Sequence, residues 1–340
     1  MIRSKKIIHF SAVLLLLGFT LIQQTLAREV STLEISVINN FNFGTWAVGT
    51  GSLTDSSVHC VASSNYSDSF TEPVPIEVPP AERLPYQYKL IDKAASTGYY
   101  LYLGNDTTNT GNATIKVSFS HADIATGSGY ELLADDTYDN HSHVGRYRLC
   151  KDGDNSELKI DISSIDLEQA RAGAYKGYFT AQVQGGSTGT DTAANDFRID
   201  LSIANIVRIS GLSDIHIGDY YGGIGNLIKE ETFCVYSNNA GAGYSLTIIG
   251  ANQDATGNFF VTNTGATVSV PYLLQFKADT TAGGGAQVST TAFTAVGSNS
   301  SSVCGGVDNA KLTLTVLDTD MQAVLPDSFT DTLTLLVAPL

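Results

Sequence analysis

The 340-residue sequence predicts an all-β protein with two β-sandwich domains in tandem, the second one strand short of closing. Three observations carry this reading. Glycine (32) and tyrosine (16) are abundant, methionine occurs twice, and charged residues make up only 16% of the chain, which is the palette of short strands joined by many turns. No helical heptad pattern appears, and the one plausible helical turn is short, at residues 166–172. Finally, one succession of strand motifs occurs twice, and only its first copy is followed by a further strand.

In chain order, the opening reads as an export signal. Arg3, Lys5 and Lys6 precede a mostly apolar run over residues 7–22, and a polar end closes on Ala27 with Thr25 two places before it. His9, Ser11 and Gly18 break the run, which is too short and interrupted for a membrane span. Cleavage after Ala27 leaves an exported mature chain, expected to divide into domains 28–206 and 207–340 because 313 residues exceed one small core. That mature chain carries 16 basic against 34 acidic residues, a net charge of about −18. Such a surface repels phosphate backbones, so nucleic acid is excluded as a partner, and a partner presenting a basic face is favoured.

After the signal, residues 33–37 alternate as a short strand, and N-N-F-N-F-G follows at 39–44. V-H-C-V at 58–61 completes the opening motif. In the second half, L-S-D-I-H-I-G at 212–218 takes the place of N-F-N-F-G, and T-F-C-V at 232–235 that of V-H-C-V. The glycine-to-cysteine spacing is the same in both halves, Gly44 to Cys60 and Gly218 to Cys234. Each half then reaches a second cysteine and an L-x-L strand, at 158–162 and 312–316. A turn and a closing strand end each copy, A-G-A-Y-K-G-Y-F-T-A-Q-V at 172–183 and P-D-S-F-T-D-T-L-T-L-L-V at 326–337. The first copy goes on through a polar loop to F-R-I-D-L-S-I at 197–203, for which the second copy has no counterpart.

In that last stretch Phe329, Leu333, Leu335 and Val337 fall on one face, and Thr330, Thr332, Thr334 and Leu336 on the other. Pro339 is expected to end the ladder, since it has no N–H to donate. An uncovered edge beside a core strand exposes apolar side chains and unpaired backbone groups, and a strand from another chain would satisfy both.

Four cysteines without a C-x-x-C spacing argue against zinc or thioredoxin chemistry and for two disulfides in an exported chain. Of the three pairings, Cys60–Cys150 and Cys234–Cys304 keep each bond inside one domain, and each loop would contribute about 4–5 kcal/mol.

The F-x-F-G segment leading to a cysteine, the later A-G-x-Y-x-G-x-F strand and the unfinished second domain together resemble chaperone–usher pilus proteins. The chain is most similar to their two-domain tip adhesins of the archaic and alternate kind, and its opening resembles spore-coat-U-like pilins. The resemblance covers essentially the whole mature chain and implies two immunoglobulin-like, pilin-type sandwiches. It implies a receptor-binding front domain and a back domain that accepts a strand, first from a periplasmic chaperone and then, at the outer-membrane usher, from the adjacent pilin subunit. Phe329, Leu333, Leu335 and Val337 would then border the acceptor groove, with the Leu340 carboxylate near basic residues of the chaperone. Only residues 28–32 precede the opening strand, too few to donate to a neighbour, which points to the pilus tip at the cell surface rather than the shaft. A minor structural subunit is the alternative, should residues 28–37 leave their own domain.

For receptor contact the front domain offers Trp46 between glycines, and Tyr66, Phe70 and Tyr86 around a stretch containing Pro73, Pro75, Pro79, Pro80 and Pro85. Core packing is the favoured reading for Trp46, and at least two of Tyr99, Tyr100 and Tyr102 are expected to pack on the sheet. Enzyme signals are poor. G-G-S-T-G at 185–189 spells G-x-S-x-G in a polar loop rather than between a strand and a helix. His141 and His143 with Asp136 and Asp139 read as a solvated loop rather than a metal site, and Asp152, Asp154 and Glu157 lack the glycine of a calcium loop. No cofactor or metal is expected. A secreted carbohydrate-active hydrolase on a β-sandwich remains the rival from another class, and would need carboxylates or a triad converging in space.

Overall fold

The computed structural model describes residues 29–340, apart from 68–82, 95–96, 105–112, 141, 147–149, 151–152 and 290. The expected export signal, Phe70 and most of the proline-rich stretch therefore lie outside the described residues.

Alternating strands in the front half build two facing sheets. One runs in the order β10 (His143–Val144), β5 (Pro85–Asp92), β12 (Gly173–Gly185), β13 (Asp191–Ile203) and β2 (Phe41–Trp46). Beside it, β6 (Tyr100–Leu103) pairs with β12 and β7 (Thr114–Lys116) with β6. The other sheet runs β3 (Leu53–His59), β11 (Ser156–Ile162), β8 (Ser118–Asp123) and β9 (Glu131–Leu132). The opening strand β1 (Glu29–Ile35) pairs antiparallel with β4 (Val61–Ser67) of the same half. Period-two alternation turns Tyr175, Phe179, Ala181 and Val183 of β12 and Phe197, Ile199, Leu201 and Ile203 of β13 into the core. Phe119 of β8 and Leu158, Ile160 and Ile162 of β11 join them there. Gly177 leaves room for this packing, because a Cβ on it would meet Leu101 Cδ2 and Phe179 Cε2 at 2.6 Å. The helical turn α1 (Ser164–Gln169) starts and stops earlier than the sequence suggests, because Ser163 caps it and its Oγ accepts from the Asp166 N–H at 3.1 Å.

The back half repeats the plan. One sheet runs β14 (Val207–Ser210), β15 (Leu227–Ser237), β21 (Ala310–Val316), β18 (Ser269–Lys277), β17 (Phe259–Asn263) and β22 (Phe329–Thr330), with β19 (Ala286–Gln287) beside β18. The other runs β20 (Phe293–Val296), β16 (Gly243–Gly250) and β23 (Leu333–Pro339). Its core, built on Phe233, Leu246, Leu274, Phe276, Leu312 and Leu314, is separate from the front core. The protein is thus all-β, two sandwiches in tandem.

The repetition extends to register. Leu53 pairs with Ile162 and Ser57 with Leu158 in front; Leu227 pairs with Val316 and Glu231 with Leu312 behind. The next strands agree: Phe119 lies opposite Ile160 and His121 opposite Leu158, as Leu274 lies opposite Leu314 and Phe276 opposite Leu312. Disulfides join Cys60 to Cys150 and Cys234 to Cys304, each within one half, with Cα–Cα distances of 5.4 and 5.8 Å.

The terminal stretch departs from a single strand. Residues 329–330 pair with β17 in one sheet and 333–339 with β16 in the other, the crossing falling at Asp331. The Asp331 carboxylate fixes the crossing by accepting from Tyr272 Oη at 2.7 Å and from the Asn252 N–H at 3.1 Å. As expected, the ladder ends at Pro339, which lies opposite Tyr244.

Candidate functional site

In the front half both edges of β12 are covered. β5 lines one edge, and β13 pairs along the other from Gly173–Ile203 to Gly185–Asp191. β2 then joins the far side of β13 in parallel. Where the register of β2 against β13 shifts, Gly44 takes φ +66°, the left-handed conformation that explains the glycine of F-x-F-G.

The counterpart of β12 in the back half is β23. Val183 faces Tyr88 and Gly185 faces Tyr86, as Val337 faces Leu246 and Pro339 faces Tyr244. Here only one edge is covered: β16 pairs with β23, and among the described residues no strand pairs with its outer edge. Residues 212–218, the counterpart of β2, form no ladder. They still alternate, with Ile215 and Ile217 half-buried against the core and His216 exposed, and Gly218 at φ +111°, like Gly44, has a positive φ. The alternation is that of a strand, but a strand needs a neighbour, and in the front half that neighbour is β13.

The side chains show the same gap. Phe329, Leu333, Leu335 and Val337 pack on the back core yet stay half-buried. Their front counterparts in the repeat, Tyr175, Phe179, Ala181 and Val183, are fully buried. The difference is the cover given by Phe197, Ile199, Leu201 and Ile203 of β13, each at most 3% exposed. Four such side chains contribute about 6–12 kcal/mol on burial, comparable with the whole stability of a typical domain at about 5–15 kcal/mol. Leu336, on the outer face of β23, is exposed. Leu340 holds the end of the edge: its N–H donates to Gly243 O at 3.2 Å, and its carbonyl accepts from Asn239 Nδ2 at 3.0 Å. The open edge can therefore receive one extended segment, with backbone groups for a ladder and an apolar floor for alternate side chains.

The residues expected at a receptor face are dispersed. Trp46 is 2% exposed, a core residue whose Nε1 donates to Gly51 O at 2.9 Å, and it offers no surface for contact. Tyr86 is likewise buried, its Oη bonded to Ser156 Oγ at 2.7 Å, and burial pushes its phenol well above the ordinary range. Tyr86 is thereby corrected from the receptor face to the core; for Trp46 the core reading holds, its indole folding back into the sandwich. Tyr66 lies on β4 opposite Val30, with its side chain outside the described residues. Tyr99 and Tyr102 are buried, Tyr100 half so. The G-G-S-T-G stretch is the hairpin between β12 and β13, so no helix follows Ser187 and no nucleophile elbow forms.

The loop expected to be solvated is so at Asp136, which is exposed, but not at Asp139 and His143. Asp139 and His143 are buried against each other, His143 Nε2 lying 2.7 Å from Asp139 Oδ2 with side chains 5% and 3% exposed. They adjoin His121, which is separated from them in sequence and was not connected with them by spacing. Asp136 points outward to Lys89 at 2.7 Å, and His141 lies outside the described residues.

No protein-family profile and no curated protein matches the sequence. Among solved structures, the chain is similar to the CsuC–CsuE chaperone–tip adhesion subunit complex of Acinetobacter baumannii, at 9% identity over 89% of this chain and 99% of that one, TM-score 0.43. It is also similar to CfaE, the adhesive subunit of CFA/I fimbria of enterotoxigenic Escherichia coli, at 9% identity over 92% and 99%, TM-score 0.33. A third likeness is to the CupB6 tip adhesin of Pseudomonas aeruginosa, at 9% identity over 91% and 96%, TM-score 0.31.

Proposed function

We propose that the protein is the tip adhesin of a chaperone–usher pilus, with domains 28–206 and 207–340 serving attachment and assembly. The observation that carries this is the open outer edge of β23 beside a fully covered β12. A periplasmic chaperone lends a strand to the edge; at the outer-membrane usher the adjacent subunit's strand replaces it. Following β13, the subunit's strand runs antiparallel to β23 and places alternate apolar side chains between Leu333, Leu335 and Val337 on one flank and Ile215 and Ile217 on the other. The opening strand β1 is engaged along its length with β4, which favours a subunit that accepts a strand over one that gives its own. The front sandwich meets the receptor or surface to which the pilus attaches, and no catalytic role is assigned to either half.

The test extends the chain. Appending a turn and an alternating strand patterned on Phe197, Ile199, Leu201 and Ile203 after Leu340 is expected to give a soluble monomer with a raised unfolding temperature. The unextended chain is expected to aggregate or to unfold at lower temperature in its back half. A chain that is soluble, monomeric and equally stable with and without the extension contradicts the proposal.

A further inference from the structure

The front core contains a polar cluster for which packing gives no reason. The registers that equate the two halves set His59 at the position of Phe233, His121 at that of Phe276, Tyr88 at that of Leu246 and His143 at that of Ala295. Even the ring spacing is kept: the centroids of His59 and His121 are 6.4 Å apart, as are those of Phe233 and Phe276. The back half meets the requirement of the fold with apolar side chains alone.

His121 is fully buried, and neither of its ring nitrogens has a hydrogen-bond partner, an arrangement that costs stability unless something satisfies it. Its ring stacks on Tyr88 at 4.1 Å and meets His143 edge-on at 4.6 Å. Asp139 enters from the loop between β9 and β10. Its Oδ1 accepts from the Tyr88 N–H at 3.1 Å, which leaves Oδ2 facing the imidazoles, 2.7 Å from His143 Nε2 and 3.7 Å from His121 Nδ1. One donor atom from each of the three residues lies within 4.8 Å of the others.

We propose that His121, His143 and Asp139 bind one divalent transition-metal ion of the zinc class. Two imidazoles and a carboxylate match zinc, whereas calcium and magnesium prefer oxygen ligands throughout. Metal–donor distances of about 2.0–2.2 Å in a tetrahedron set donor atoms about 3.4 Å apart. The Asp139–His143 edge then opens by about 0.7 Å, the Asp139–His121 edge closes by about 0.3 Å, and the His121–His143 edge, no longer than 4.8 Å, closes by up to about 1.4 Å, adjustments that side-chain rotations supply. The Tyr88 N–H, bonded to Oδ1, orients the carboxylate so that Oδ2 faces the ion. His59 Nε2 and Tyr88 Oη, also buried without partners, border the cluster, and a water could complete the coordination. Because His121 comes from one sheet and His143 from the other, the ion ties the two sheets of the front sandwich to the Asp139 loop. This site does not depend on the strand-acceptor reading.

The experiment uses the full mature chain, stripped with chelator and titrated with Zn2+ alone, with Co2+ as a visible-absorption probe. The expected result is one equivalent bound, a Co2+ spectrum of four-coordinate type and a higher unfolding temperature. Asp139→Asn and His143→Gln should each weaken binding by about tenfold or more. His121→Phe restores the residue type of the back half, so it should fold, be more stable than the metal-free wild type, and gain nothing from Zn2+. Failure of the wild type to retain either ion, or binding that survives all three substitutions at wild-type affinity, overturns the proposal.

Discussion

Leu335 and Leu336 are neighbours on β23 with opposite surroundings: the first packs on the back core, and the second is exposed. If the open edge receives a strand, Leu335→Asp sets a charge on the floor of the groove and should abolish uptake of an alternating peptide, whereas Leu336→Asp should change its affinity less than about tenfold. Fluorescence anisotropy of a labelled peptide measures both, and equal losses would contradict the assignment of faces. His59 carries a separate prediction. Burial lowers its pKa from 6.5 to about 4, so the unfolded chain takes up the proton first as pH falls. The stability linked to neutral His59 is complete above pH 6.5 and is lost on descent towards pH 4, by up to about 3 kcal/mol at about 1.4 kcal/mol per unit. Urea unfolding between pH 7.5 and 4.5 should show the decline, and His59→Phe should make it shallower, leaving the part that the buried His121 contributes. A wild-type profile that is already flat would refute this.

At the scale of elements, β12 and β23 are one strand in two situations, covered and uncovered. Ile199→Ala in the covering strand should cost about 2–4 kcal/mol of front-half stability. Leu335→Ala should cost less than half of that in the free chain and approach it once an alternating peptide is bound, because only then does the side chain become fully buried. Urea unfolding with and without peptide decides, and equal costs in both conditions would contradict the uncovered edge. Much of this level was legible in the sequence. Alternation gave the closing strands and their inward faces, since period two is imposed by the pleat, and the equal Gly44–Cys60 and Gly218–Cys234 spacings reported a repeat that the registers reproduce. What the sequence hid depends on contacts between distant segments. Residues 212–218 look like a strand locally yet form no ladder, and the 327–340 stretch changes sheets at Asp331. His121 meets Asp139 and His143 only through strand pairing and sheet facing.

Across the whole molecule, the two sandwiches have separate cores and meet at Asn238. Asn238 is 1% exposed; its Oδ1 accepts from the Ile206 N–H at 2.8 Å, and its Nδ2 donates to Ala204 O at 3.0 Å and Ala170 O at 3.3 Å. The front sandwich completes its own sheet, while the back sandwich presents Leu333, Leu335 and Val337 along an edge whose front equivalent is closed by thirteen paired residues. The most direct measurement of that claim is amide hydrogen exchange along residues 333–339 in the full mature chain. Adding a peptide patterned on Phe197, Ile199, Leu201 and Ile203 should slow exchange on β23 and on residues 212–218, and a scrambled peptide of the same composition should not. Exchange that is already fully protected without peptide, or that is unchanged at saturating peptide, would contradict an edge that waits for another chain.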